Sequence, residues 1–366
     1  MVIDRLRAVV NLDNLINNYE ILKKLNQGKD IFAVVKADAY GHGAKMCSLH
    51  LKKHGCKYFA VTVLKEAIEL RDYGINEEIL IFGKTDPLNV SYLVDEDLCQ
   101  TVFSFNYAEE LNRFGKKLRV HLNIDTGMSR LGILCHKEAQ IDDVVKEIKK
   151  INDLPNIEIT GIYSHFTSSD SDKEYTAYQQ EIFNKLLMRL KQENINYGLV
   201  HLQNSSGVVN IKNVDYDLAR CGIALYGYPP VKTEEKFLPV MSLYAKVVSL
   251  REIEAGDSVS YGRTFIAKDN MTIATVAIGY ADGYMRILSN NDYFYFNGYE
   301  LPVVGRVCMG FTMINVTGVE IQEGMEVEVF GERKLLEPMA KKALTITYEI
   351  LTNMAKPRID KIYINK

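Results

Sequence analysis

Residues 31–43 read IFAVVKADAYGHG. The apolar run from Ile31 to Val35 predicts a short strand buried on both faces, and the glycines after it predict a turn leading into a helix. Lys36 leaves this strand between apolar walls, which disfavour the charged amine and lower its pKa toward that of a usable nucleophile. Such a lysine can form a Schiff base with a carbonyl cofactor such as pyridoxal phosphate. A lone lysine at a strand end can equally extend its amine into water.

The alternation of apolar runs with helix-length segments continues along the chain. Strands are predicted at 31–35, 58–63, 78–82, 100–103, 118–124, 158–163, 199–202 and 214–218. Eight such strands predict an α/β fold in which residues 1–235 form a parallel (β/α)8 barrel of the TIM type. Beyond residue 236 short strands alternate with turns such as Asn297-Gly298, which predicts a mostly antiparallel β domain at 236–366.

Bulk composition restricts the partners and the compartment. The formal net charge of −3 argues against nucleic acid or an anionic membrane as a partner. No apolar stretch is long enough to span a bilayer, and the first residues are too charged for a secretory signal. Six cysteines without paired spacing indicate reduced thiols and a cytoplasmic protein. Cys47, His50 and His54 could share a helix face, but no closed metal-ligand pattern follows, and no metal is expected.

Chemically capable residues follow the predicted barrel strands, at the end of a barrel where active sites lie. Lys36 follows the first strand, Arg130 the fifth and His165 the sixth, and Arg220 follows the eighth. A phosphate in such barrels commonly docks after strands seven and eight. Its expected ligands are the Ser205 hydroxyl, the backbone N–H groups of Gly222 and Ile223, and the Tyr40 hydroxyl.

Consecutive blocks along the chain resemble the alanine racemase family. They are VKADAYGHG (35–43), GIYSHF (161–166), NSSG (204–207), RCGIALYG (220–227), VSYGRT (259–264), IGYADGY (278–284), GRVCM (305–309) and TYEI (347–350). The resemblance runs from about residue 30 to residue 360. It implies a pyridoxal 5'-phosphate enzyme that interconverts L-alanine and D-alanine, and supplies D-alanine for peptidoglycan if the source is bacterial.

The family resemblance also implies how the site is divided between two chains. It implies a homodimer in which Lys36 is the base on one face of the substrate. Tyr261 of the other chain is then the base on the opposite face, as inversion of a stereocentre requires. Met309 is expected to come from the other chain as well and to contact the substrate together with Arg130.

The resemblance assigns the remaining site residues to the cofactor or to the entrance. Arg220 is expected to face the pyridine nitrogen, with His165 bonded to Arg220 and linking it toward Tyr261. The implied cofactor contacts are Lys36, Tyr40, His165, Asn204, Ser205, Arg220, Gly222, Ile223 and Tyr348. Tyr280 and Tyr348 are expected to narrow the entrance, and the outer corridor is expected to include Asp170, Arg286 and Arg306.

Two positions depart from the family pattern. Many members carry a carbamylated lysine that braces the arginine equivalent to Arg130, but this chain has Asn123 there. Arg130 is then held by the Asn123 amide or by a bound anion such as chloride. Gly310 stands where the family usually has aspartate, which leaves the substrate range open.

Three other functions fit parts of the pattern. A serine or broader-specificity racemase is motivated by Gly310, and Tyr348 speaks against it. A related amino-acid decarboxylase would need a pocket for long polar substrates, which the sequence does not identify. A non-enzymatic pyridoxal-phosphate carrier needs only the barrel, whereas this chain also has the domain that contains Tyr261 and Met309.

Overall fold

The computed structural model describes residues 5–212 and 214–365. The chain divides into two compact units. The barrel unit comprises Leu15–Ala37 and Ala44–Leu238, and the sheet unit comprises the residues up to Asn14, Asp38–Gly43 and those from Pro239 onward. The first four residues of the charged start, which argued against a secretory signal, lie outside the described residues.

The elements alternate as the periodicity predicts. The strands are β1 (Leu6–Asn11), β2 (Ile31–Val34), β3 (Tyr58–Val61), β4 (Glu78–Ile81), β5 (Cys99–Val102), β6 (Leu118–Asp125), β7 (Ile133–Leu134), β8 (Ile157–Tyr163), β9 (Leu199–His201), β10 (Ala219–Cys221), β11 (Met241–Ile253), β12 (Ser258–Val259), β13 (Phe265–Ile266), β14 (Met271–Val276), β15 (Tyr293–Phe296), β16 (Tyr299–Pro302), β17 (Thr312–Asn315), β18 (Glu326–Phe330) and β19 (Asp360–Ile364). The helices are α1 (Leu12–Leu25), α2 (Lys36–Tyr40), α3 (Ala44–Lys53), α4 (Leu64–Asp72), α5 (Val90–Asp95), α6 (Phe105–Asn112), α7 (Ile141–Asn152), α8 (Lys173–Gln192), α9 (Ser205–Asn210), α10 (Leu336–Lys342) and α11 (Thr347–Asn353).

Among the described residues of the barrel unit, eight parallel strands form the barrel order, which confirms the predicted barrel, and the short β7 pairs with β6 outside this order. Their order is β10-β2-β3-β4-β5-β6-β8-β9, and a parallel bridge between His201 and Leu218 joins the two ends of this order. All four residues of β2 are buried, as expected for a strand with side chains in the barrel interior on one face and helices packed on the other. The carboxyl ends of the strands therefore meet at one rim.

The sheet unit is mostly antiparallel, as predicted, and β11 is its long central strand. β11 pairs with β1, β14 and β18, and the sheet continues through β15 to β16 on one side and through β1 to β19 on the other. The Asn297-Gly298 turn joins β15 to β16, and both turn residues have positive φ. This is the backbone that a tight two-residue hairpin requires.

Two predicted boundaries differ from the structure. The eighth barrel strand was expected at 214–218 but is formed by Ala219–Cys221, so that Arg220 lies within the strand and not after it. The barrel was assigned to residues 1–235, but β1 pairs with β11 and β19 and belongs to the sheet unit. β1 alternates buried and half-buried side chains, and only its hydrogen-bond partners, more than 200 residues away, reveal which sheet it joins.

Within the described residues, none of the helices has both the length and the apolar character needed to cross a membrane.

Candidate active site

Only Val35 separates Lys36 from the end of the buried strand β2, and Lys36 is itself half-buried. Burial lowers the pKa of its amine, and the positive charge of Arg130 lowers it further, while Glu66 acts in the opposite direction. The next four residues, Ala37 to Tyr40, have φ between 52° and 53°. They form a left-handed helical turn, which costs about 1–2 kcal/mol for each L-residue. Such a run of strained residues is typical of functional sites.

The carboxylate of Glu66 holds the start of this strained turn in the barrel unit. One oxygen, Oε1, accepts a hydrogen bond from the backbone N–H of Ala37 at 2.6 Å. The other oxygen, Oε2, accepts from the N–H groups of Thr62 and Val63 at 2.8 and 3.2 Å. Glu66 therefore ties the residue after Lys36 to the end of the neighbouring strand. Glu66 is not among the residues predicted from the sequence, because nothing in its local pattern separates it from an ordinary glutamate in a first helical turn.

Arg130 lies in a loop after β6 that the carboxylate of Asp125 organises. Asp125 Oδ1 accepts hydrogen bonds from the backbone N–H groups of Gly127, Met128 and Ser129. Burial tends to raise the pKa of this carboxyl, but the three N–H donors and His136 outweigh burial and lower it. Asn123, expected to brace Arg130, donates its amide N–H to the backbone oxygen of Leu131 at 2.8 Å instead. Asn123 therefore supports the loop through its backbone.

Arg220 is buried inside the barrel and held by several acceptors. Its Nη1 donates to the backbone oxygen and the Nδ1 of His201, both at 2.9 Å. Its Nη2 donates to the backbone oxygens of Ser164 and Leu202, and lies 3.2 Å from the Nδ1 of His165. The predicted contact between His165 and Arg220 is thus present. Burial lowers the pKa of Arg220 to about 10, so the guanidinium remains charged at neutral pH.

The remaining donor of Arg220 is the group most informative about a ligand. Among the described residues, no hydrogen-bond acceptor faces its Nε–H. This N–H group is therefore available to donate a hydrogen bond to an acceptor of a ligand. The pKa of His165 is lowered well below its usual value by burial first, and then by Arg220, Arg130 and Lys36. The positive charges of Arg220, Arg130 and Lys36 therefore all act on the ring of His165.

Two histidines that the sequence analysis missed support Arg220. His201 is buried between Arg220 and His121, whose Nδ1 lies 2.8 Å from the Nε2 of His201. The ring of Tyr163 stacks on His201 at 4.8 Å, and the Arg220 guanidinium lies 4.8 Å from the centre of the same ring. The available sequence signal was a histidine in each of two buried strands, but it did not indicate that the two rings meet.

The predicted phosphate ligands of the barrel unit are brought together. Ser205 begins α9, and its hydroxyl oxygen accepts from the N–H groups of Gly222 and Ala224 at 3.1 and 3.5 Å. Ile223 lies between those two residues and begins a short 3₁₀ turn. Asn204 caps α9 by accepting from the N–H of Gly207. Its side chain therefore orders the first turn of α9, where Ser205 lies.

The sheet unit contains the other predicted cofactor contacts, Tyr40 and Tyr348. Their ring centres are 6.1 Å apart, at an angle of 53°. Gly41 follows with φ of +84°, and a side chain there would meet the backbone oxygen of Leu351 at 2.2 Å. The glycine is therefore required for this segment to pack on the end of α11, which carries Tyr348.

Tyr261 and Met309 lie on neighbouring loops of the sheet unit and are exposed by 72% and 61% of their surface. The Ser260 hydroxyl donates to the backbone oxygen of Arg306 at 2.6 Å and joins the two loops. The backbone N–H of Tyr280 donates to the oxygen of Cys308, which adds the Tyr280 loop to the group. Large apolar side chains this exposed are typical of surfaces that meet another molecule.

The outer residues are placed less specifically. Asp170 is exposed in the loop before α8, and the adjacent Ser169 donates to the Asn204 side chain at 2.9 Å. Arg286 is exposed at the start of a 3₁₀ turn in the sheet unit. No described group of three or more His, Cys, Asp or Glu residues is arranged to hold a metal ion.

Comparison with known proteins identifies the family of this chain. Residues 10–230 match the model of the alanine racemase N-terminal domain, and residues 240–363 match that of the C-terminal domain. The chain belongs to the alanine racemase family. An alanine racemase of Clostridium novyi is 39% identical, covering 98% of this chain and 95% of that protein. Alanine racemase 2 of Caldanaerobacter subterraneus is 40% identical over 98% of this chain and 94% of that protein.

Solved structures of the family have the same fold. Alanine racemase of Clostridium difficile aligns with a TM-score of 0.90 at 34% identity, covering 100% of this chain and 97% of that chain. The Bacillus anthracis enzyme with bound L-Ala-P aligns with a TM-score of 0.92 at 32% identity, covering 100% and 96%. The Bartonella henselae enzyme with covalently bound pyridoxal phosphate aligns with a TM-score of 0.89 at 30% identity, covering 99% and 100%.

Proposed function

We propose that this chain is a pyridoxal-phosphate-dependent enzyme that interconverts L-alanine and D-alanine. The observation that carries the proposal is the pairing of Lys36, whose amine has a lowered pKa, with the buried guanidinium of Arg220 in one barrel. Family relatives with both domains, including one with covalently bound pyridoxal phosphate, support it.

The residues present fit this cofactor. Lys36 Nζ is the attachment point for its aldehyde carbon, and the free Nε–H of Arg220 is a donor for its pyridine nitrogen. The proposed phosphate contacts are Ser205, the backbone N–H groups of Gly222 and Ile223, Tyr40 and Tyr348. His165 and Asn204 are proposed to support the residues around the cofactor. When bound, pyridoxal phosphate withdraws electrons from an attached amino acid and so acidifies its Cα–H.

The protein residues then move the proton. Lys36 Nζ takes or gives the Cα proton on one face of the substrate, and the Tyr261 hydroxyl of a second copy of the chain does so on the other. Two bases on opposite faces convert removal on one side into delivery on the other, which inverts the stereocentre. Arg220 keeps its own protons at neutral pH and so holds the pyridine nitrogen unprotonated. That limits electron withdrawal and favours return of the proton to Cα over side reactions.

Substrate binding and selection are assigned to Arg130, Met309 and the entrance. Arg130 pairs with the substrate carboxylate, assisted by the backbone of Met309. Tyr280 and Tyr348 narrow the entrance in favour of a small side chain. Asp170, Arg286 and Arg306 line the approach.

The proposal extends to assembly and context. The exposed Tyr261 and Met309 suit a homodimer that shares its active sites. A bound chloride beside Asn123 and Arg130 would supply the charge that a carbamate supplies elsewhere in the family. The described cysteines are free thiols, which supports a cytoplasmic location, and D-alanine is proposed to serve peptidoglycan synthesis.

Deuterium exchange tests the reaction directly. The protein with pyridoxal phosphate is incubated with L-alanine in deuterated water, and the products are separated by chirality. Deuterated D-alanine together with deuterated L-alanine supports racemisation, whereas unchanged and undeuterated L-alanine contradicts it and favours a cofactor carrier.

Single substitutions test the two bases. We expect Lys36→Ala to abolish exchange, and Tyr261→Phe to slow exchange of the Cα hydrogen in one enantiomer of alanine much more than in the other. Equal residual rates of Cα-hydrogen exchange in the two enantiomers in Tyr261→Phe would contradict the two-base assignment.

A broader substrate range is the second candidate. A side chain at Gly310 would meet nothing within 4 Å, so there is room here in the sheet unit. Relative turnover of alanine and serine decides between the two, and equal rates would favour the broader enzyme.

A further inference from the structure

The interior of the barrel contains a second histidine whose arrangement the proposed chemistry does not explain. His121 is buried on β6, and its ring meets that of His201, which in turn contacts Arg220. We propose that His121 is a positioning residue that fixes the tautomer of His201 and thereby the orientation of Arg220. This inference rests on the proposed role of Arg220 at the cofactor nitrogen.

The hydrogen-bond donors determine the protonation of both rings. An arginine side chain can only donate hydrogen bonds, so the His201 Nδ1 that lies 2.9 Å from Arg220 Nη1 must accept. The proton of neutral His201 is then on Nε2, which donates to His121 Nδ1 at 2.8 Å. His121 in turn has its own proton on Nε2. The two hydrogen bonds therefore run in one direction, with Arg220 donating to His201 and His201 donating to His121.

Both histidine rings are neutral at neutral pH, so each has a single N–H whose position defines its tautomer. Burial lowers the pKa of His201 well below its usual value, and the positive charge of Arg220 lowers it further. Burial likewise lowers the pKa of His121 to about 3, with Arg119 and Arg220 contributing. A protonated His201 would place an N–H opposite the guanidinium donor, which the geometry excludes.

The backbone is adapted to place this ring. The register between β6 and β8 shifts between Val120 and His121, so that His121 lies opposite Gly161. A side chain at Gly161 would lie 2.4 to 2.6 Å from three atoms of the His121 ring. Irregularities of this kind redirect a side chain and are common beside active sites. The register shift before His121 and the absence of a side chain at Gly161 together make room for the His121 ring beside His201.

Loss of the His121 acceptor would reach Arg220 in two steps. The His201 Nε2–H would be left without a partner in the barrel interior, which is costly. Moving that proton to Nδ1 would relieve the cost but set two donors against each other at Arg220 Nη1. The guanidinium would then shift, and its Nε–H would no longer point where the cofactor nitrogen is proposed to lie.

The test compares two substitutions of similar size in the cofactor-loaded protein. His121→Asn retains an acceptor at the place of Nδ1, and His121→Leu removes it. The His201 tautomer is read from side-chain ¹⁵N shifts after histidine labelling, and pyruvate formation from alanine is measured relative to racemisation. Pyruvate reports transfer of the amino group to the cofactor, which an unprotonated pyridine nitrogen suppresses.

We expect His121→Leu to mix the His201 tautomers and to raise the ratio of pyruvate formation to racemisation by roughly tenfold, the effect of one lost hydrogen bond to a buried group. His121→Asn is expected to restore both readouts toward the parent values. Thr85→Val is the matched control, because it removes a buried hydrogen bond to Gln100 elsewhere in the same unit. It should lower stability and leave both readouts unchanged.

Each outcome has a defined meaning. If His121→Leu changes stability but neither the His201 tautomer nor the product ratio, His121 is a packing residue and the inference is wrong. A second variant, Arg220→Gln, distinguishes failure of the His121 inference from failure of the proposed role of Arg220. If Arg220→Gln leaves the product ratio unchanged, the proposed role of Arg220 is wrong, whatever the His201 tautomer shows.

Discussion

Neutralising Glu66 should lower stability and lower the pKa of Lys36 at the same time. The carboxylate accepts three backbone hydrogen bonds, from Ala37, Thr62 and Val63. In Glu66→Gln one oxygen can still serve Thr62 and Val63, but an amide NH₂ then faces the Ala37 N–H. The substitution therefore removes the bond that holds the residue next to Lys36.

The size of the stability loss follows from that geometry. A hydrogen bond to a charged acceptor contributes about 1.5–3 kcal/mol, and water can replace part of it at a half-exposed side chain. We expect Glu66→Gln to reduce the free energy of unfolding by about 1–2 kcal/mol, measured by urea denaturation.

The expected change in the Lys36 pKa comes from the charge of Glu66 and not from its hydrogen bonds. Glu66 is the group that raises the Lys36 pKa against burial and Arg130. Removing its charge lowers that pKa further, so more of the amine is neutral at a given pH below it. The rate at which Lys36 reacts with pyridoxal phosphate should therefore reach half its maximum at a lower pH than in the parent protein.

A matched control lies on the same helix. Glu69 is also in α4, and its only ion pair with a described residue is with Lys65 at 4.0 Å. Glu69→Gln should change neither the stability nor the pH midpoint. A midpoint in Glu66→Gln that stays constant or moves to higher pH would refute the electrostatic reasoning, even if stability falls as expected.

Three further predictions concern the backbone and a buried ion pair. Ala37 is exposed with φ of 52°. Ala37→Gly should relieve about 1–2 kcal/mol of backbone strain and cost about 0.5–1 kcal/mol in chain entropy, so the denaturation midpoint should rise. A lower midpoint would contradict this. Gly161→Ala should destabilise by about 1–3 kcal/mol, because the new methyl overlaps the His121 ring; unchanged stability in urea would mean that the ring moves freely. Asp282 is fully buried and bonded to Arg5 at 2.6 Å. Asp282→Asn should therefore reduce the free energy of unfolding, measured by calorimetry, by about 3 kcal/mol. A loss below about 1 kcal/mol would show that water already screens the ion pair.

The sequence by itself determined the features that depend on neighbouring residues. The apolar run before Lys36 predicted a buried strand, and its repetition predicted the barrel, because strand and helix periodicity are local properties of the chain. Since parallel strands end at one rim, the placement of Lys36, His165 and Arg220 after or within such strands was enough to predict that they converge.

The tertiary structure alone decided the contacts between distant residues. β1 joins β11 and β19 in the sheet unit although its own alternation suits either sheet. His121 and His201 are 80 residues apart, and their contact depends on a register shift opposite Gly161. Such pairings are set by the packing of whole strands. For that reason the residues that we propose to bear the chemistry could be predicted from the sequence, while those that contact and orient them became visible only in the fold.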